Sequence, residues 1–111
     1  MAGDNGTGWY VVKLNKENRK KCGKVIKVYP KNHQLLLAME EGGEFIQAVS
    51  KYLRYGDMEP LLEEYADMEV MLEELRQLLG IKKKEINKRC AKKLYRALEG
   101  KVAYADMESD R

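Results

Sequence analysis

Four acidic residues stand where carboxylates are costly. On a helix turning about 100° per residue, Glu41 shares a face with Ala38, Phe45, Val49 and Tyr52, and Glu44 borders the same patch. A second stretch repeats the anomaly. Leu61, Tyr65, Met68, Leu72, Leu75 and Leu79 recur at alternating four- and three-residue spacing; Glu64 falls inside that stripe and Asp67 lies one step off its edge. Glu63, Glu69, Glu73 and Glu74 lie outside the stripe and read as solvated. An unpaired carboxylate is expensive to bury, so carboxylates converging between two helices need neutralising. Lysines from the basic third helix could do it, leaving a salt-bridged interface. A hard divalent cation could also do it: Mg²⁺ takes oxygen ligands and keeps positions for water and substrate phosphates. Facing helices of a bundle can present inward carboxylates at i, i+3 spacing. Periodicity alone leaves both open.

The elements that must hold these residues are helices. The apolar spacing predicts three, over about 33–55, 58–79 and 83–99. Gly56 stops the first, Asp57 can cap the second with Pro60 in its first turn, and Gly80 ends it. Gly100 ends the third, which carries Ile86, Cys90, Leu94 and Leu98 on one face. Residues 1–8 read as loose, Trp9 to Val12 as a short β-prone run, and 13–31 as lysine-rich with little period. The reading is thus a basic, irregular, partly ordered segment (1–31), a helical domain (32–100) and a tail (101–111). The fold class is all-α, a small helical bundle. Tyr-Ala-Asp-Met-Glu occurs at 65–69 and again at 104–108, a match short enough to be coincidence.

The acids read Glu41-Gly-Gly-Glu44, then Glu64-Tyr-Ala-Asp67 with nineteen residues between. This resembles the E-x-x-E and E-x-x-D signature of the MazG-like, all-α nucleoside triphosphate pyrophosphohydrolases. "AMEEGGEFIQAVSKYLR" looks like that family's first motif helix and "LLEEYADMEVMLEELRQLLGI" like its second, so the resemblance covers roughly 33–98. Gly42-Gly43 departs from it, since a motif helix prefers better helix formers.

The resemblance implies hydrolysis of a nucleoside triphosphate to the monophosphate and pyrophosphate, with Mg²⁺, or Mn²⁺ as substitute, held by Glu41, Glu44, Glu64 and Asp67. Glu41, in its apolar surroundings, is the candidate for taking the proton of the attacking water. The resemblance places phosphate-binding cations near the end of the first motif helix, where Lys51 and Arg54 stand, and on the later helix, where Lys88, Lys92, Lys93 and Arg96 crowd. Gln34 resembles a glutamine that often opens the first motif helix, and with His33 it is the candidate for base or ribose; Trp9 or Tyr10 could stack on a base. The family's usual unit has four helices, so with three here a homo-oligomer, dimer or tetramer, is expected to complete the bundle.

Composition sets the wider limits. The chain has 111 residues, 35% of them charged and 44% hydrophobic, which suits one folded domain. The net charge of +3 hides a division into +6 over residues 1–31, −8 over 32–79 and +5 over 80–111. No apolar run approaches a membrane span and no signal-peptide pattern opens the chain. Cys22 and Cys90 stand alone, so the expected setting is a reducing cytoplasm. Two rival readings remain. The basic flanks could bind nucleic acid, although no nucleic-acid motif accompanies them and the acidic middle would repel phosphate. Alternatively the 61–79 seam could join two copies of a purely structural protein.

Overall fold

Lysine and arginine are good helix formers, and the basic stretch once read as irregular is a helix. The structure, a computed structural model, describes residues 14–109, with side-chain surroundings given through residue 100. It contains α1 (Lys16–Val28), α2 (Lys31–Tyr55), α3 (Met58–Leu78) and α4 (Lys83–Ser109). The all-α expectation holds among these residues, with four helices rather than three. Trp9 to Val12 lie outside the described residues.

α1 begins at Asn15, whose side chain accepts the Asn18 backbone N–H at 2.7 Å, with Glu17 in its first turn and Lys27 in its last. Its inward stripe is narrow, centred on the buried Cys22, which is why periodicity did not reveal it. The stripe packs on α3. The Gln77 amide donates to the Arg19 carbonyl at 2.9 Å, and the Cys22 thiol approaches the Val70 carbonyl at 4.0 Å. A Cβ at Gly23 would stand 2.8 Å from the Gln77 side-chain oxygen, so a larger residue there would make that side chain shift.

Gln34 ties α1 to α2. It is buried, and its amide donates to the carbonyls of Ile26 at 3.1 Å and Tyr29 at 2.9 Å, closing the C-terminal end of α1. The α2–α3 connection is shorter still. Gly56, at φ +74°, donates its N–H to the Tyr52 carbonyl at 2.8 Å. This is the left-handed stop expected of that glycine. Asp57 occupies the N-cap position of α3 without making the side-chain cap expected of it. Two residues suffice to fold α3 back along α2. Gly80, at φ +66°, follows α3 in the same left-handed conformation.

Two expectations about α3 are corrected by α1. Glu74 is buried rather than solvated, and Glu73 is largely covered, because α1 packs over the side of α3 that carries them. Glu73 is gripped by Arg76 at 3.0 and 2.7 Å and by Gln77 at 2.7 Å. The 61–79 seam is only partly buried: Met71 and Glu74 turn inward, while Tyr65, Leu72 and Leu79 stay exposed, because α3 is wedged between α1 and α2.

The chain divides into two units at Gly80–Ile81, and α4 belongs to the second. It runs through Gly100 instead of ending there, since one glycine costs a helix only about 1 kcal/mol. Residues 101–109 are therefore helical rather than a separate tail, and Ile86, Cys90, Leu94 and Leu98 are all exposed.

Two outcomes follow for stability. Gln34→Ala should cost about 1–3 kcal/mol in denaturant unfolding, since it removes a buried side chain and both its hydrogen bonds to carbonyls at the end of α1. Burial raises the Glu74 carboxyl above its ordinary value of 4.5. The folded state then holds that proton more tightly, so stability is greatest at acid pH and falls as pH rises from about 4.5 through the raised value. Glu74→Gln should raise the neutral-pH melting temperature by a few degrees, a gain that shrinks towards pH 4.

Candidate metal centre

The antiparallel pairing of α2 and α3 brings the sequence-distant acids together. One carboxylate oxygen from each of Glu41, Glu64 and Asp67 lies within 4.8 Å of the others. Glu41 and Glu64 are half-buried and Asp67 is exposed at the rim. One oxygen of Glu41 and one of Glu64 are buried with no hydrogen-bond partner. Phe45 and Tyr65, the residues that follow Glu44 and Glu64 in the chain, meet edge to face with ring centres 6.4 Å apart. The two misfits of the periodicity, Glu41 and Glu64, thus fall in one carboxylate cluster.

Burial and like charge act on the cluster in the same direction. Burial raises the Glu41 carboxyl, and Asp67, Glu44 and Glu64 raise it further by like-charge repulsion. Burial likewise raises Glu64, followed by the charges of Glu44 and Asp67. Asp67 lies within hydrogen-bonding reach of both. Glu44 is exposed, outside the tight triad but close enough for its charge to act on both buried glutamates. Among the described residues of the α1–α3 unit, no lysine or arginine pairs with the triad; the ion pair recorded on α3 is Arg76 with Glu73, on the α1 side.

The donor set fits a small hard cation. Oxygens around Mg²⁺, bound at about 2.1 Å, lie up to about 4.2 Å apart. A slight contraction of the triad reaches that spacing. The three groups are all carboxylates, which suits Mg²⁺ or Mn²⁺ rather than a softer metal.

The other anticipated residues are placed less decisively. Lys51 is exposed, two turns beyond Glu44 on the same face of α2, about 10 Å along the axis. Arg54 lies on the same helix, its guanidinium 5.1 Å from the centre of the Tyr55 ring. Lys88, Lys92, Lys93 and Arg96 line one shallow groove on α4 with Glu85 and Arg89, an arginine the sequence reading passed over. Glu85 and Arg89 pair at 3.0 Å, an i, i+4 contact that was legible in the spacing. His33 is exposed, its ring centre 5.6 Å from that of Tyr29. Gln34 is buried, its amide nitrogen donating to the Ile26 and Tyr29 carbonyls while its side-chain oxygen has no partner. Trp9 and Tyr10 lie outside the described residues.

Comparison with known proteins returns no match: no family model, no curated protein and no solved structure resembles the chain closely enough to register. The likeness to the pyrophosphohydrolases thus rests on the quoted motifs alone. No helix among the described residues is long and apolar enough to cross a membrane.

The raised carboxyls carry a sign that can be measured. Without metal, Glu41 and Glu64 favour the protonated form when folded, so metal-free protein should lose stability as pH rises from about 4.5 towards neutrality. Under those conditions Glu64→Gln should melt higher than the parent, because it removes one of the repelling charges. A lower melting point in chelator at pH 7 would contradict the unpaired cluster.

Proposed function

We propose that this chain is a Mg²⁺-dependent nucleoside triphosphate pyrophosphohydrolase, releasing pyrophosphate and a nucleoside monophosphate. The observation that supports this most is the carboxylate triad of Glu41, Glu64 and Asp67, drawn together from two helices with two buried oxygens unpartnered. The E-x-x-E and E-x-x-D motifs supply the reaction class, by resemblance.

In this reading Glu41, Glu64 and Asp67 hold the ion directly and Glu44 completes the set from the rim. Magnesium, when bound, neutralises charge on the phosphate oxygens and eases deprotonation of water near neutral pH. Burial and three like charges lift the Glu41 carboxyl, and in this reading it serves as the general base. Lys51 stands where a phosphate chain extending along α2 from the acids would meet a positive charge. Lys88, Lys92, Lys93 and Arg96 offer a second cationic surface for the polyphosphate, and His33 remains available to base or ribose. The chain is expected to work in the cytoplasm as a homo-oligomer, dimer or tetramer. Among the described residues of the α1–α3 unit only Cys22, Ala48 and Met71 are buried hydrophobics, too few for a comfortable monomer.

A nucleic-acid-binding role is the reading from a different class. It draws on the lysines of α1 and the groove of α4.

Melting curves and product assays separate the two. Millimolar Mg²⁺ should raise the melting temperature of the parent and not of Glu64→Gln or Glu41→Gln. A screen of nucleoside triphosphates should release pyrophosphate, with each variant reduced roughly a hundredfold or more while its helical signal is unchanged. A melting point indifferent to Mg²⁺ with and without nucleotide, together with salt-dependent binding of duplex DNA or RNA, would favour the rival.

A further inference from the structure

Beside the row of α2 that packs on α3 runs a second, largely apolar row, with Lys31 at its start and Arg54 near its end. Leu35, Met39, Gly42, Ile46, Val49 and Leu53 follow the alternating four- and three-residue spacing of a packed helix, with Leu36, Gly43 and Ser50 beside them. In a chain that is 35% charged, so long an apolar row is not what a solvated helix face requires. Yet its residues are open: Met39 is 67% exposed, Ile46 69%, Leu53 84%, Leu36 58% and Val49 44%. The row lies one residue on from the row that packs on α3 (Ala38, Glu41, Phe45, Ala48, Tyr52), so α2 has two adjacent packing faces and the unit fills one.

α3 extends the surface. Tyr65, Leu72 and Leu79 are each about half exposed. Because α2 and α3 run antiparallel, equal rotations away from their shared contact lead to the same side of the pair. The two rows therefore form one apolar surface, on the side away from α1.

We propose that this surface is a two-fold contact with a second copy of the chain, α2 crossing its counterpart antiparallel at Gly42 and Gly43. Three observations select that occupant. About the midpoint between the two glycines, Met39 and Ile46 are equidistant, and so are Leu36 and Val49. An antiparallel pair thus sets each against its complement in the second copy, the self-complementarity a two-fold interface requires. Adjacent glycines weaken the centre of a 25-residue helix, and within the chain a Cβ at either would meet nothing within 4 Å. Close approach of another backbone at that point is what glycine permits. Finally, the exposed parts of the eight apolar residues amount to nearly five whole side chains. That is on the order of 800 Å² per copy, what each partner contributes to a standard interface. The inference rests on the proposed self-association and names its surface; it needs neither metal nor nucleotide.

Sedimentation of the full chain tests it together with thiol cross-linking. The parent should sediment as a dimer or a multiple of one, and Ile46→Glu should sediment as a smaller species with its helical signal retained. Gly42→Ala should weaken self-association roughly tenfold even though alanine strengthens the helix; a glycine without this role would leave association unchanged. In a Cys90→Ser background, Met39→Cys and Ile46→Cys should cross-link when mixed far faster than either does alone. A monomeric parent would overturn both the surface and self-association. An oligomer indifferent to Ile46→Glu and giving no mixed cross-link would overturn the surface alone. Preferential cross-linking of Met39→Cys to itself would overturn the antiparallel crossing.

Discussion

Repulsion among carboxylates in the α2–α3 contact is the constraint around which the rest of the first unit is arranged. Two helices that pack along their length ordinarily keep acids off the shared face, because desolvation and like charge act in the same unfavourable direction there. Here Glu41, Glu64 and Asp67 meet within the contact, and Glu44 adds its charge from the rim. Such an arrangement persists only if the surrounding structure holds it or if something positive occupies it. Glu73, a few residues along α3, shows the ordinary solution, since Arg76 and Gln77 satisfy it directly. The triad has no comparable partner among the described residues of its unit. That contrast within one helix is why the triad reads as a site and Glu73 as structure.

α1 gives α3 a second packed side. Its arrival buries Glu74 and Cys22 against each other, and burial together with the charges of Glu74 and Glu73 raises the Cys22 thiol above its ordinary value. Both buried groups are neutral more readily than their exposed counterparts would be. The clasp at its other end is Gln34, which satisfies α1 carbonyls that would otherwise be orphaned.

These three helices nonetheless enclose little. No side chain among the described residues is fully buried, and the apolar rows on α2 and α3 remain open. The two-fold contact inferred for that surface would leave the acid cluster untouched, since the cluster occupies the neighbouring face of α2. Chemistry and assembly would then use adjacent faces of one helix, with Gly42 and Gly43 lying between Glu41 and Glu44 in the chain while turned toward the other side.

Much was legible before any tertiary information. Helical spacing pointed to an all-α fold, which the described residues have, to the interruptions at Gly56 and Gly80, and to Glu41 and Glu64 on apolar faces, because a 3.6-residue period converts chain position into direction. It could not reveal α1, whose buried stripe is one narrow line through a run of lysines. Without α1, Glu74 looked solvated and Gln34 looked available to a ligand, since burial depends on what arrives from elsewhere in the chain. Gly100 looked like a stop because a glycine ends a helix only where the backbone turns left-handed, as at Gly56 and Gly80, and composition does not record that turn. The sequence by itself thus determined which side chains share a face of a helix. Only the tertiary structure decided which faces are covered, because covering depends on a neighbour whose position no local period encodes.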